Sequence, residues 1–370
     1  MKKFNWKDII KRTIFMLKIL GLWPPGDTYK FDFYSAYSFV SIVALTCGHN
    51  FFSVVNIYFI FPDLEAIAGT IFVTLPELLT IMKTYYVVQN MQLLKRLMVD
   101  INKEHFQPRS VSQIELIQPS LNFWKKTVTF LWSMSSGAVF FWATFPILDR
   151  SVKENRLPFL AWYPYDTTVS PFYEITYVYQ IVSFAFIAAT TLTTDTLIGV
   201  LNVFLGAQCD ILCDDLRHIF DEDHFISCGK KMFRCIKHHK EILRFADSCN
   251  HSAATGITMF QLTVTTPLSS EFFLLVSFGI ATVVEIFIYC WFGNEIEIKS
   301  TAITSAIFHS NWIQAPKKIK KDMMFFLMRC QRPIKLSALN LFYLSLETFV
   351  KILRASWSYF ALLNQASSRK

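Results

Sequence analysis

The sequence predicts an all-α membrane protein with seven transmembrane helices. Its N-terminus is predicted cytosolic and its C-terminus extracellular, and helical extensions are predicted to form a cytosolic anchor region. Three observations lead there. Apolar stretches near the ~20 residues needed to cross a bilayer recur along the chain. The composition is 53% hydrophobic and 17% charged with mean hydropathy +0.34, where a soluble chain of this size carries more charge. Lys and Arg also fall in alternate connections. Segments 1–30, 83–126, 199–251 and 293–335 are basic, while 54–65 and 267–271 carry no Lys or Arg. Connection 147–171 holds only Arg150, Lys153 and Arg156, offset by Asp149, Glu154 and Asp166. Cationic loops stay in the cytosol because moving them across a membrane is unfavourable. The resulting orientation is opposite to that of a G-protein-coupled receptor and excludes that class.

The elements follow in order. In residues 4–20, Lys3, Lys7 and Lys11 share one helical face, and Ile10, Ile14, Leu17 and Leu20 share another. This suits an interfacial amphipathic helix or an ordinary packing helix, ended by Trp23-Pro24-Pro25. Charges at Lys7, Lys11, Arg12 and Lys18 argue against a cleavable signal peptide. The spans are predicted at about 33–53, 66–88, 124–146, 172–198, 252–268, 270–292 and 337–363. Pro62, Pro146, Pro171 and Pro267 lie near span ends, while Pro76 lies inside the second span and predicts a kink. The fourth helix is predicted to run on past the membrane. Leu197, Val200, Leu201, Phe204, Leu205, Ile211 and Leu212 keep a helical period as Asp210, Asp214, Asp215 and Arg217 appear. Segments 231–246 and 316–330 repeat the pattern, which places an anchor in about 199–250 and 296–335. The fifth span, Ser252–Leu268, has 17 residues. That is ~26 Å of helix against a core of ~30 Å. The basic connections on either side require an even number of crossings between them.

The chemistry-bearing residues point away from enzymes and cofactors. No Walker loop, GxGxxG, HExxH or GxSxG motif occurs. The eight cysteines avoid the predicted outer loops, so no disulfide framework is expected. Cys209, Cys213, His218, His224, Cys228, Cys235, His238 and His239 match no zinc-ligand spacing and are expected as unpaired thiols and solvated histidines. The net charge of +8 sits in inner loops and implies no nucleic-acid partner. Ionisable residues at membrane depth are Glu77, Asp195, Glu285, Glu347, Lys351 and Arg354. Glu347 and Lys351 are spaced to pair on one helical face. The last helix, expected over Leu339–Gln365, is apolar but punctuated by Ser345, Glu347, Lys351, Arg354, Ser358 and Gln365. One helix cannot enclose a pore, so a water-lining role for it requires oligomerisation.

Several stretches stand out as motifs. They are Gly21-Leu22-Trp23-Pro24, Leu157 to Pro164, Ser170-Pro171-Phe172-Tyr173-Glu174 and His238 to Leu243. The most specific are Tyr289-Cys290-Trp291-Phe292-Gly293-Asn294-Glu295 and Met328-Arg329-Cys330-Gln331-Arg332-Pro333. Ser345 to Phe349 and Ser356-Trp357-Ser358-Tyr359-Phe360 join them. With these motifs the chain resembles insect odorant receptors over nearly its whole length. Tyr359 followed after five residues by Gln365 is also similar to the wider gustatory receptor superfamily. The Phe those receptors carry next is Ala366 here, which favours the odorant branch. Between His238-His239 and Tyr289-Cys290 the chain is roughly a dozen residues shorter than the family pattern, and the deficit falls in the fifth span.

The resemblance implies an odorant-gated, non-selective cation channel of the plasma membrane, expected in olfactory neuron dendrites. It implies a hetero-tetramer with the odorant receptor co-receptor, a small volatile ligand, membrane lipid around the bundle and no cofactor. It places the ligand pocket in the outer half of the membrane, between spans two, three, four and six. The matching positions are Thr70, Val73 and Thr74, then Ser135, Ala138, Phe141 and Trp142, then Tyr177, Ile181 and Phe184, with Leu275 and Phe278. These suit a modestly polar volatile such as an aromatic, an ester or an alcohol. Pore positions implied on the last helix are Ser358, Leu362 and Gln365. A secondary transporter would show paired repeats, and none is found. A gustatory-type chemoreceptor and a truncated or non-functional receptor variant also fit the sequence.

Overall fold

The computed structural model of the chain describes residues 3–62, 64–148, 152, 155–221, 225–252, 272–338 and 342–367. Helix α1 (Lys7–Ile19) turns Ile10, Thr13 and Leu17 inward and lies against α7 (Phe172–Arg217). With Trp6 and Leu17 fully buried, α1 is a packing helix of the core rather than a helix lying in the membrane interface. Gly21 ends the segment at φ +77°, where a Cβ would meet Ser38 at 2.9 Å. Its carbonyl accepts hydrogen bonds from the Ser38 and Tyr29 hydroxyls.

The first span is one continuous rod of α2 (Phe33–Ser41), a π-helical stretch (Ile42–Cys47) and α3 (Gly48–Ile60). The Asp32 carboxylate caps it by accepting from Ser35 N–H at 2.8 Å. A π turn displaces carbonyls from their usual partners, and Ala44 O accepts from the Tyr179 hydroxyl at 2.8 Å. Helix α4 (Leu64–Gln89) contains Pro76, and α5 (Met91–Asp100) turns Met91, Leu94, Leu97 and Met98 inward. Their spacing of three and four residues is the signal for α5 in the sequence, where no span is predicted.

Helix α6 (Val111–Leu148) starts well before the predicted third span, at the level of the inner body. Helix α7 has 46 residues, ~69 Å, more than twice a bilayer core. In its most apolar window 89% of residues are buried, against 11% for α6. Helix α7 is therefore the hub, and it packs on α1, α4, α6, α8 (Phe225–Ser252) and α9 (Phe272–Phe308). Among the described residues, Phe33–Ile60, Val111–Leu148 and Phe172–Arg217 are long and apolar enough to cross a membrane. Beyond Ser252, the predicted fifth span lies outside the described residues.

Helix α10 (Lys317–Cys330) is followed by an antiparallel pair, β1 (Ser337–Ala338) and β2 (Phe342–Tyr343), then by α11 (Leu346–Ser367). The last helix thus begins several residues later than the sequence predicts. The preceding backbone pairs elsewhere. Ile334 N–H donates to Ser300 Oγ, Ser337 N–H to Asn250 Oδ1 and Leu344 N–H to Leu336 O.

Below the predicted membrane level the core is aromatic. Phe204 meets Trp6, Phe106 and Phe245 at ring distances of 5.0, 5.3 and 4.9 Å. The Trp6 indole N–H and the Gln208 amide both donate to Phe106 O. His238 Nε2 lies 2.9 Å from Gln208 Oε1. Burial pushes the His238 pKa down to about 3 and that of His239 to about 4. These histidines are neutral core residues, not the solvated ones the sequence suggests. Lys299 pairs with Asp210 at 2.7 Å, and Gln113 donates to Asp214 and Asp215, so the charges of the α7 extension tie helices together. Among the described residues no cysteine forms a disulfide.

Candidate functional site

Helices α4, α6, α7 and α9 enclose a cavity of about 460 Å³, within the ~300–1,000 Å³ of ligand pockets. Its walls are mainly apolar, built from Trp124, Leu131, Met134, Phe141, Phe184, Ile187 and Phe292 among others. Helices α6, α7 and α9 present them, and along α6 Leu131, Met134, Ala138 and Phe141 recur three and four apart. Gly199 admits the Trp124 indole against the α7 backbone, a space that a Cβ would fill.

One wall is polar. Glu77, Thr80 and Lys83 follow at three-residue intervals on one face of α4, all buried. Thr80 Oγ1 lies 2.7 Å from Thr191 Oγ1 on α7. Lys83 Nζ sits between Asp195 of α7 at 2.9 Å and Glu285 of α9 at 2.6 Å. The Tyr289 hydroxyl donates to Asp195 Oδ1 at 2.6 Å. Three helices thus meet at one ammonium. The sequence counts Lys83 among the cytosolic loop charges, and the structure buries it inside α4. Asp195 and Glu285 stand out in the sequence as ionisable groups, but no periodicity signals that they share a lysine.

The segment before α7 packs beside one end of the cavity, against Phe184. Phe159 stacks on Trp142 at 4.6 Å and meets Phe184 at 4.9 Å. The Gln180 side chain pins this segment, accepting from Phe159 N–H and donating to Phe159 O, each at 3.1 Å. Trp162 N–H donates to Phe52 O, and its ring stacks on Phe59.

The pocket residues expected from the sequence separate into groups. Ser135, Ala138, Phe141 and Phe184 line the cavity. Trp142 belongs to the aromatic cluster with Phe159, against which Val73 packs. Thr70 and Thr74 are buried on α4 outside the cavity lining, and Ile181 is half-buried. The Tyr177 hydroxyl is held by Ala143 O at 2.8 Å. Leu275 and Phe278 lie in α9 and Leu362 and Gln365 in α11, but their side chains fall outside the described residues. Ser358 is exposed on α11. The cavity also runs further inward than the expected outer-half pocket, to Asp195, Asn202 and Phe292. Sequence reasoning does not place Trp124, Thr191 or Tyr289 in it. Among the described residues no cluster of His, Cys, Asp and Glu suits a metal.

The family model described as 7tm Odorant receptor matches residues 63–357, most of the chain. The chain belongs to the odorant receptor family. Odorant receptor Or1 of Anopheles gambiae is 25% identical over 421 aligned residues, covering 99% of this chain and 97% of that one. Odorant receptor 94a of Drosophila melanogaster is 19% identical and covers 95% and 96%. The solved structure of the olfactory receptor OR5 from Machilis hrabei, in complex with eugenol, superposes with a TM-score of 0.87. It shares 18% identity and covers 98% of each chain, so the two odorant receptor folds agree through their whole length.

Proposed function

We propose that the chain is the odorant-binding subunit of a ligand-gated, non-selective cation channel that works with the odorant receptor co-receptor as a hetero-tetramer. It spans the plasma membrane seven times, with its N-terminus in the cytosol and residues 1–370 forming one receptor domain. The observation that carries this reading is the cavity between α4, α6, α7 and α9 in a chain of the odorant receptor family. The small volatile enters there, and the eugenol held by the Machilis hrabei receptor supports a ligand of that size. Helix α11 supports the channel part. Glu347, Lys351, Arg354 and Ser358 are exposed on the single chain, as pore-side or interface groups of an assembled channel must be. Leu362 closes the pore as an apolar constriction, and Gln365 offers neutral amides to passing cations. Current recorded under a panel of volatiles tests the reading. The chain paired with the co-receptor gives a ligand-evoked cation current, and the chain alone gives little. Robust odorant-evoked current from the chain alone would remove the need for a partner.

A further inference from the structure

The cavity's polar wall holds one carboxylate that no donor reaches. Glu77, Asp195 and Glu285 all line the cavity. Lys83 is committed to Asp195 and Glu285, and Tyr289 also donates to Asp195. Glu77 has His49 beside it. It is 3% exposed, and neither of its carboxylate oxygens has a hydrogen-bond partner among the described residues. His49 Nε2 stands 3.5 Å from Oε2, beyond the ~2.7–3.2 Å of an N–H···O bond. A buried carboxylate without donors is costly, and a cation brought to it gains most where water is excluded.

We propose that this cavity binds protonated amines, with the ammonium at Glu77 and the apolar body against the aromatic walls. The proposal rests on the odorant-receptor reading and names its ligand class. A neutral alcohol of the same shape can donate one hydrogen bond to Glu77 and leaves its other oxygen without a donor. An ammonium supplies up to three donors and an opposite charge together. The apolar lining residues, Phe141 and Phe184 among them, house the hydrocarbon. The amine adds discrimination that the expected aromatic, ester or alcohol ligands lack.

The test uses the full chain, purified in detergent, with 2-phenylethylamine and its neutral isostere 2-phenylethanol. Ligand binding raises the melting temperature by an amount that grows with the ratio of ligand concentration to Kd. The amine is expected to bind at least tenfold more tightly than the alcohol. Glu77→Gln keeps the shape and removes the charge. It is expected to weaken the amine about tenfold to a hundredfold, the usual effect of losing a charge-assisted hydrogen bond, and to weaken the alcohol by no more than about threefold, since the amide oxygen still accepts its hydroxyl. Equal affinity of the wild type for the two compounds overturns the proposal, as does unaltered amine affinity in Glu77→Gln. If the variant does not fold, the wild-type pair decides alone. Currents from cells that also carry the co-receptor separate the two readings. Current evoked by neutral volatiles with no amine binding sinks the amine site and leaves the receptor standing. Amine binding without any evoked current sinks the channel reading and leaves the site.

Discussion

Lys83 shows how much one residue can decide. Its ammonium is nearly fully buried and satisfies two carboxylates from two other helices. Removing one partner of a buried ion pair costs roughly 3–5 kcal/mol, because the remaining charge loses its compensation. Lys83→Met should therefore lower the melting temperature and the surface level of the receptor. Adding Asp195→Asn should recover part of the loss, and an additive double variant would show that the two do not interact. Phe159 is a second decisive residue, since its ring packs with Trp142 and Phe184 beside one end of the cavity. Phe159→Ala removes that stack and opens the cavity at that end. Stability should fall by roughly 3 kcal/mol or more, as for other buried Phe truncations. Faster ligand release, read as faster current decay after washout, should accompany it. Neither residue stands out in the sequence, because an isolated Lys near a helix end and a Phe in a loop have many ordinary explanations.

At the scale of elements, α7 and α11 behave differently. Helix α7 is buried through most of its apolar stretch because other helices surround it, and its continuity links the cavity to the core around Phe204. Helix α11 keeps charged and hydroxyl groups exposed, packs on α9 through Phe349 against Phe287, and leaves its other face for partners. Close approach of the segment before it is possible because Gly293 has no side chain, and a Cβ there would meet Leu344 O at 2.5 Å. If α11 lines the pore, Leu362→Ser should wet the constriction and raise basal current. Gln365→Glu and Gln365→Arg should move cation permeability in opposite directions. Unchanged basal current and permeability in all three would remove this face from the pore.

For the whole molecule, the distribution of Lys and Arg makes a topological prediction. An epitope tag at Lys370 should stain on intact cells, and one at Met1 only after permeabilisation. Staining of Met1 on intact cells would invert every assignment of inner and outer surface. The packed inner body is consistent with the basic segments lying on one side. Arg109 pairs with Asp215 and Lys299 with Asp210, so several of these cations also hold the helices together.

The sequence by itself determined the helical membrane class, the family, the helical continuation of α7 and the amphipathic inner helices. The class and the helices depend on composition, on charge asymmetry between connections and on a 3.6-residue period, and the family on short motifs such as Tyr289 to Glu295; all of these are local to the chain. It also marked Glu77, Asp195 and Glu285 as unusual, since charges at membrane depth are rare. Only the tertiary structure decided that Lys83 joins Asp195 and Glu285, that Phe159 stacks on Trp142, and that residues 334–338 and 342–344 pair with α8, α9 and each other before α11 begins. Lys83 lies 112 and 202 residues from its two partners. No pattern within one segment encodes such a meeting, because it arises from how separate helices cross, and that is set by the summed packing of the whole bundle.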